Sequence, residues 1–206
     1  AACAAAAALS PAFAANAAAD YPNRPIRLVV PFGAGGSTDM VARLLAEKMS
    51  TVLGKSVVVD NKGGAGGSIG ASEIAKAAPD GYTIGMATVS THGSNPAIFR
   101  KLPYDAIKDF APITNVMSVP SVFVVNASVP AKTMKEFIAL AKANPDKYTF
   151  ASPGTGSLGH ANIENFMNLA GIQLLHIPYK GAGQAITDAL GGQVNAMTDN
   201  LPSTLP

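Results

Sequence analysis

The groups in this sequence that could do chemistry are concentrated in four glycine-rich turns, which begin at Gly33, Gly63, Ser152 and Tyr179. A glycine turn between a strand and a helix leaves backbone N–H groups free at the positive end of the helix macrodipole, where anions bind. Nearby hydroxyl groups add hydrogen-bond donors or helix caps, and they belong to Ser37, Thr38, Ser68, Thr155 and Ser157. The pattern therefore predicts recognition of a small anion by backbone amides and hydroxyls.

Nucleotide-binding motifs are incomplete in these turns. Gly54-Lys55-Ser56 supplies the ending of a Walker A motif, but Met49 stands where its first glycine should be, and the segment follows a helix. Residues 154–159 match the dinucleotide-binding pattern G-x-G-x-x-G in full. The next predicted strand, however, ends at Tyr179-Lys180, where an acidic residue would be needed to hold a ribose. The turns do not favour a nucleotide, and no cofactor is predicted.

A serine hydrolase is the alternative from a different functional class. Residues 66–70 fit the G-x-S-x-G pattern of a nucleophile elbow, with Ser68 as the nucleophile. Such an elbow follows its strand almost directly, whereas residues 61–65 separate this segment from the predicted strand that ends at Asp60. No spacing ties Ser68 to any of the three histidines that could serve as its base, which are His92, His160 and His176. The match is therefore weak, and hydrolysis remains the alternative.

Three further side chains are candidates either for ligand contacts or for structural roles. His160 lies three residues after Ser157 at the start of a predicted helix, so both could face a ligand; a capping or core histidine is the alternative. His176 lies in an apolar strand and is expected to be structural. Lys180 follows a strand end and is the best-placed cation for an anionic ligand, with a solvated lysine as the alternative. The histidines lack the spacing of metal ligands, so no metal site is predicted.

The elements that must position these turns alternate between strand and helix. Short apolar runs predict strands at 26–31, 57–60, 82–88, 148–151, 174–178 and 194–198. Apolar residues at helical spacing predict helices at 40–53, 69–78, 133–143, 158–170 and 185–190. Residues 89–111 are predicted to form a long loop with a short helix, and 113–126 a bent strand pair around Pro120. Strand, glycine turn and helix recur four times, which predicts mostly parallel sheets in two α/β lobes facing across a cleft, at 21–121 and 122–206.

Composition excludes several classes of partner. Of the 206 residues only 14% are charged, against about 25% in an average soluble domain, and the net charge of +2 is dispersed along the chain. Aromatic residues make up 6% and tryptophan is absent, so neither a basic stripe nor a stacking platform for nucleic acid is present. The single cysteine precludes an intrachain disulfide.

The two ends of the sequence carry separate expectations. Residues 1–19 are uncharged and rich in alanine, with A-x-A sites at 12–14 and 17–19, so residues 1–20 are predicted to be the remnant of a secretory signal peptide. Cys3 could belong to a lipobox, although an h-region cysteine removed with the signal is preferred. A disordered leader without an export role is the remaining alternative. Nothing at 201–206 ends an element, so the fold is expected to continue.

Motifs in a fixed order resemble one protein family. The opening segment 21–39, YPNRPIRLVVPFGAGGSTD, resembles the start of the Bug family, the extracytoplasmic substrate-binding proteins of tripartite tricarboxylate transporters. Further matches follow in chain order: VDNKGGAGGS at 59–68, PDGYT at 79–83, SPGTGS at 152–157 with His160, PYKG at 178–181, and GGQV at 191–194 leading to LPS at 201–203. Matches in this order over nearly the whole chain are more specific than any single glycine motif.

The resemblance implies a two-lobed periplasmic-binding-protein fold that closes by hinge motion around a small organic carboxylate. It also implies a monomeric periplasmic protein that catalyses no reaction and delivers its ligand to membrane permease subunits. A stand-alone ligand sensor with the same binding fold is the alternative. Because members of the family are longer, the C-terminal part of the fold is expected to be missing from this chain.

The resemblance also implies a set of ligand-binding residues in each lobe. The first lobe would contribute Phe32, Gly33, Ala34, Gly35, Gly36 and Thr38, closed on one side by Ser90 and Thr91. The second lobe would contribute Ser152, Gly154, Thr155, Gly156, Ser157 and His160, with Tyr179, Lys180 and Gly181 as a wall and Asp199 at the last strand end. Asp199 would repel a dianion but could hold an amine or a hydroxyl. Asp39 is expected to interact with the helix N-terminus.

Overall fold

The structure is a computed structural model that describes residues 21–205. The first half of the described chain contains β1 (Ile26–Val30), α1 (Ser37–Leu53), β2 (Val57–Asn61), α2 (Ser68–Ala75), β3 (Thr83–Gly85) and α3 (Asn95–Ile98). The second half contains β4 (Ser121–Val125), α4 (Met134–Ala143), β5 (Thr149–Ser152), α5 (Leu158–Ala170), β6 (Leu175–Pro178), α6 (Ala182–Leu190), β7 (Ala196–Asn200) and α7 (Leu201–Thr204). A short 3₁₀ helix at Ala65–Gly67 and a π-helical turn at Ser90–Ser94 complete the regular structure.

The first half folds around a three-stranded parallel sheet in the order β2-β1-β3. The central strand β1 has the sequence IRLVV, and its aliphatic side chains are almost fully buried, as expected for a strand covered on both faces. Ala42 and Ala46 of α1 pack against this sheet with Ile26 and Leu28. Gly54 ends α1 in the left-handed conformation at φ 64°, which a glycine adopts without strain.

The second half folds around a four-stranded sheet in the order β4-β7-β5-β6. Strands β5, β6 and β7 are parallel, whereas β4 runs antiparallel to β7. Neighbouring side chains of a strand point to opposite faces. Phe150 accordingly packs with Phe137 and Ile163 of α4 and α5, and Ala151 packs with Ala185 of α6 on the other face. Helices therefore cover both faces of this sheet.

The predicted fold class is confirmed, because both halves are α/β with mostly parallel sheets. Two elements differ from the prediction. Strand β3 ends at Gly85, where its pairing with Val29 ends, and does not continue to residue 88. Residues 111–120 form no strand; they are mostly exposed and contain Pro112 and Pro120, which cannot donate to a ladder, so only Ser121–Val125 pairs.

Other sequence predictions concern chain organisation. The predicted lobe boundary at residues 121 and 122 falls at the start of β4, and the division into two lobes stays a prediction. The predicted signal peptide at 1–20, including Cys3, lies outside the described residues. In the part of the chain that the structure describes, no helix is both long enough and apolar enough to cross a membrane.

Candidate functional site

The four glycine turns all follow the carboxyl ends of parallel strands, and they meet where the two sheets face each other. We call this contact the glycine seam. The first turn (32–36) and second turn (62–67) follow β1 and β2, while the third turn (153–157) and fourth turn (179–183) follow β5 and β6. The N–H of Gly33 donates to the carbonyl of Lys180 at 2.8 Å and joins the first turn to the fourth. Loops from both halves thus form one continuous site.

Backbone atoms of the two halves are in direct contact along the seam. This contact explains why two positions in it require glycine. A Cβ atom on Gly181 would lie 2.6 Å from the nitrogen of Gly33, and a Cβ on Gly63 would lie 2.2 Å from the carbonyl oxygen of Lys180. Neither contact is possible for a real side chain. Any larger residue at these positions would therefore separate the two halves.

Two helix N-termini converge at the seam. Helices α1 and α6 both begin after a glycine, Gly36 and Gly181, and no side chain caps either of them in the described part of the chain. A Cβ on Gly36 would lie only 3.2 Å from the Cβ of Ala182, so the two first turns are in contact. The first N–H groups of a helix lack intrahelical partners and carry partial positive charge. This arrangement favours an anion.

The third helix at the seam, α5, is capped by protein groups instead. The hydroxyl of Ser157 accepts the N–H of His160 at 3.3 Å. Ser90, from the π-helical turn of the other half, accepts the N–H of Leu158 at 3.0 Å. Ser157 therefore caps α5 within its own half, and Ser90 holds α5 against the first half of the chain.

The first turn is held in shape by a buried carboxylate. Asp39 accepts the N–H of Gly35 and the Nε–H of Arg43, both at 3.0 Å, and the Nδ2–H of Asn61 at 2.9 Å. Asn61 also donates to the carbonyl of Phe32 at 3.0 Å, so both ends of the turn are fixed. Burial opposes the charge of Asp39, but these hydrogen bonds outweigh burial and hold its pKa below the usual value.

The third turn is supported by stacked aromatic rings. His160 stacks on His176 with ring centroids 4.2 Å apart, and His176 stacks on Phe150 at 4.6 Å. The Nδ1 atom of His160 accepts the N–H of Gly156 at 3.3 Å. Ser152 Oγ lies 2.7 Å from His176 Nε2 and accepts the N–H of Gly154. Burial, together with the neighbouring imidazole of His160, lowers the pKa of His176 to about 4.

Two predicted contact residues, Thr91 and Tyr179, use their hydroxyl groups for contacts within the protein. The Thr91 hydroxyl is buried and bonds to Thr88 and to His92 Nδ1. The Tyr179 hydroxyl donates to Asp188 at 2.6 Å, and burial and this carboxylate raise its pKa to about 12.

The two remaining charged candidates, Lys180 and Asp199, differ in burial. The Lys180 side chain is exposed, and its backbone carbonyl supplies the contact with Gly33. The Asp199 carboxylate is buried and accepts the hydroxyl of Ser203, and burial raises its pKa. Lys180 therefore contributes to the seam through its backbone.

The remaining predicted residues lie in or beside the seam. Ala34, Gly35 and Thr155 are exposed, Thr38 is half-buried in the first turn of α1, and the Phe32 ring is buried beside Gly67. The structure therefore brings together the residues predicted in both halves, although several act through their backbone: Gly33, Gly35, Gly36, Gly154, Gly156, Lys180 and Gly181.

Sequence reasoning missed three polar residues that hold the seam. Asn61 braces the first turn, Asn95 is fully buried and donates to the carbonyl of Gly66 at 3.1 Å, and Asn200 donates to the Ser37 hydroxyl at 2.7 Å. An asparagine in a turn commonly bonds to its own backbone. The residue type alone therefore did not mark these positions as part of the site. Each acts on a segment remote in sequence, which only the fold brings near.

Ser68 does not have the geometry of a nucleophile. Its hydroxyl donates to the carbonyl of Ala65 at 2.8 Å, and within residues 21–205 no histidine is hydrogen-bonded to it. Over the same residues there is no group of three or more His, Cys, Asp and Glu side chains that could hold a metal ion.

Comparison with known proteins gives a consistent result. The sequence pattern of the family described as "Tripartite tricarboxylate transporter family receptor" matches residues 41–206. The chain is 42% identical over 189 residues to the "UPF0065 protein in gbd 5′ region" of Cupriavidus necator, covering 91% of this chain and 57% of that protein. It is 41% identical over 194 residues to protein BugT of Bordetella pertussis, covering 93% and 60%. The chain thus spans less than two thirds of the length of these relatives.

Solved structures resemble the fold closely. A structure described as that of a periplasmic transporter superposes with a TM-score of 0.86 at 52% identity, over 89% of this chain and 62% of the other. An R. palustris protein solved with adipate gives 0.86 at 37% identity, over 91% and 62%. MatC from Rhodopseudomonas palustris with bound malate gives 0.85 at 34% identity, over 89% and 62%.

Proposed function

This chain belongs to the tripartite tricarboxylate transporter receptor family, and from that premise we propose that it binds a small organic carboxylate at the glycine seam. The bound ligand is then delivered to the membrane permease of the transporter, and no bond is made or broken. The protein works in the periplasm as a monomer. Structural neighbours solved with adipate and with malate support a carboxylate as the ligand class.

The observation that carries this proposal is the convergence of the uncapped N-termini of α1 and α6. A carboxylate accepts hydrogen bonds from the first-turn N–H groups, including those of Ser37, Thr38 and Ala182, and it offsets the positive ends of both helix dipoles. Such charge-assisted hydrogen bonds are stronger than those between neutral groups. Asp39 holds the first turn in the required shape through the N–H of Gly35.

Selectivity against cations and neutral sugars follows from the same geometry. Peptide N–H groups at helix ends offer donors but no acceptors, so a ligand must bring oxygen atoms with excess negative charge. Among the predicted contacts, Asp199 is the residue whose carboxylate could accept a hydrogen bond from the ligand. Burial raises the pKa of this carboxyl group. A hydroxyl or ammonium group on the ligand would find its partner there.

Ligand class is tested by thermal unfolding of the full-length protein with adipate, malate, amino acids, sugars and nucleotides. A ligand present at 100 times its dissociation constant stabilises the folded state by about 2.7 kcal/mol, which raises the unfolding midpoint visibly. We expect shifts with carboxylates. A shift with sugars or nucleotides alone would contradict the proposed ligand class.

Delivery is tested separately, because the sensor alternative uses the same binding fold. Uptake of a bound carboxylate into vesicles that contain the permease subunits should require this protein. Tight binding without any dependence of uptake on the protein would favour the sensor.

A further inference from the structure

The first and third glycine turns are built in the same way. Gly35 and Gly156 both have a positive φ, of 88° and 84°, and each lies two residues before the first residue of a helix. In both turns the glycine N–H donates to a side chain four residues later, on the first turn of that helix. The acceptor is Asp39 in the first turn and Nδ1 of His160 in the third.

From this correspondence we infer that His160 is a positioning residue, whose unprotonated Nδ1 holds the third turn in its ligand-binding shape, and that carboxylate binding is therefore linked to protonation of this imidazole. The inference rests on the proposed function. It differs from the sequence expectation, in which His160 contacts the ligand. A permanent anion does this task in the first turn, whereas a titratable group does it in the third.

The surroundings of His160 select the required tautomer. Its Nδ1 accepts the Gly156 N–H, so the proton of the neutral ring is on Nε2, and Nε2 lies 3.4 Å from a carboxylate oxygen of Glu164. An acceptor beside one ring nitrogen fixes the proton there and leaves the other nitrogen free to accept. Glu164 therefore supports the hydrogen bond to Gly156.

The titratable groups that face His160 are Glu164 on its own helix and His176 on β6. Strand β5 contributes Phe150 and Ser152, which do not titrate in this range. Strand β7 and the π-helical turn also pack against α5, through Thr198 and Ser90. Their titratable groups, Asp199 and His92, are hydrogen-bonded to Ser203 and Thr91. Burial and the neighbouring imidazole of His160 lower the pKa of His176 to about 4 and keep it neutral in this range. The His160 ring, in contrast, is partly exposed at the seam.

The direction in which carboxylate affinity changes with pH distinguishes a positioning role of His160 from a direct contact with the ligand. A protonated Nδ1 is a donor and would oppose the Gly156 N–H, so the third turn would lose its shape and carboxylate affinity would fall as the pH drops. A histidine that contacts the ligand directly would do the opposite, because an imidazolium attracts a carboxylate. Asp39 remains ionised throughout the histidine range, so the first turn adds no pH dependence.

The test is calorimetric titration of the full-length protein with malate and with adipate between about pH 8 and about pH 5.5, the range in which histidine titrates. For the wild type we expect affinity to fall at least about threefold toward acid pH. His160→Asn places an amide oxygen near the position of Nδ1 but cannot be protonated. This variant should bind with little change in affinity over the same range, and it corrects for protonation of the ligand itself.

Two further variants complete the test. His160→Leu removes the acceptor and should lose affinity at every pH, while its circular dichroism and melting report whether it folds. Asn168→His adds an imidazole elsewhere on α5 and should keep the wild-type profile. Affinity that rises on acidification, or a His160→Asn profile that falls like the wild type, would overturn the positioning role. If neither dicarboxylate binds at any pH, the proposed function itself fails.

Discussion

Single side chains decide the shape of the seam, and most of them act on the backbone. Asp39 and His160 each hold a glycine amide, while Asn61 and Asn95 hold carbonyl groups of the first and second turns. A buried acceptor or donor that loses its partner costs about 1–3 kcal/mol. The residues around the turns therefore determine the shape of the seam together with those that line it.

Asp39→Ala should weaken carboxylate binding at least about tenfold, equivalent to about 1.4 kcal/mol, because the Gly35 amide and the Asn61 side chain lose their acceptor. Asp39→Asn retains one acceptor oxygen and should recover part of the affinity. Calorimetric titration with malate measures both variants. Equal affinity of Asp39→Ala and the wild type would show that the first turn keeps its shape without this carboxylate.

His176 predicts a pH dependence of folding stability. Its pKa is about 4 in the folded protein and about 6.5 in an unfolded chain. Between these pH values the unfolded state binds more protons than the folded state. With respect to His176, the free energy of unfolding is therefore highest above pH 6.5 and decreases as the pH falls toward 4.

The measurement is urea unfolding of the wild type and of His176→Phe at several pH values. Phenylalanine preserves the stack but cannot be protonated, so the free energy of unfolding of this variant should fall less on acidification. Asp199 has a raised pKa, so its effect on the free energy of unfolding has the opposite pH dependence. Because this effect is the same in both proteins, it cancels in the comparison. Parallel curves for the two proteins would contradict the assignment.

At the scale of elements, the capping of each helix determines what its N-terminus can bind. Helices α4 and α5 have side-chain caps at Thr133 and Ser157, whereas α1 and α6 have none within the described residues. A side-chain cap supplies an acceptor to the same N–H groups that an anion would use. The uncapped helices at the seam therefore leave these donors available to an anion.

Gly36→Asp should place a carboxylate at the N-terminus of α1, where it competes with the ligand. Gly36 has an extended backbone that an aspartate can adopt, with φ −87° and ψ 169°. We expect an unfolding midpoint near that of the wild type, since an aspartate cap stabilises α1 and offsets the close approach of its Cβ to that of Ala182, 3.2 Å. Carboxylate affinity should fall at least about tenfold.

Thr133→Ala is the matched control for this experiment, because it removes a cap remote from the seam. It should lower the stability of the protein by about 1 kcal/mol and leave carboxylate affinity unchanged. Unchanged affinity of Gly36→Asp would show that the ligand binds elsewhere than at α1.

At the scale of the whole molecule, the glycine seam sets how closely the two halves approach. Direct hydrogen bonds join them at Gly33 and Lys180, at Ser90 and Leu158, and at Ser37 and Asn200. These contacts depend on positions where a side chain has no room. The approach of the two halves is therefore sensitive to the addition of a single methyl group.

Gly181→Ala should hold the halves apart, because its Cβ would lie 2.6 Å from the Gly33 nitrogen. We expect a larger radius of gyration in X-ray scattering with saturating malate, together with weaker binding. Gly191→Ala is the control, since its Cβ would lie 3.4 Å from the nearest atom and φ is −73°. The same scattering curve for both variants would show that the seam does not limit closure.

The sequence by itself determined the order of strands and helices, the fold class and the family. These features depend on local periodicity and on motifs in order, such as IRLVV followed by a glycine turn and a helix. It also located the four turns, because glycine between a strand and a helix is a local signal. The expected strand pair at 113–126 was wrong over its first part, because an apolar run does not show whether a partner strand is available.

Only the tertiary structure decided which group each candidate residue engages. Lys180 contributes its carbonyl, Tyr179 bonds to Asp188, and His160 holds Gly156. Contacts of this kind depend on the direction of a side chain and on segments far apart in the chain, neither of which spacing along the sequence encodes. The meeting of the α1 and α6 N-termini is likewise a consequence of packing between the two halves, because their first residues, Ser37 and Ala182, are remote in sequence.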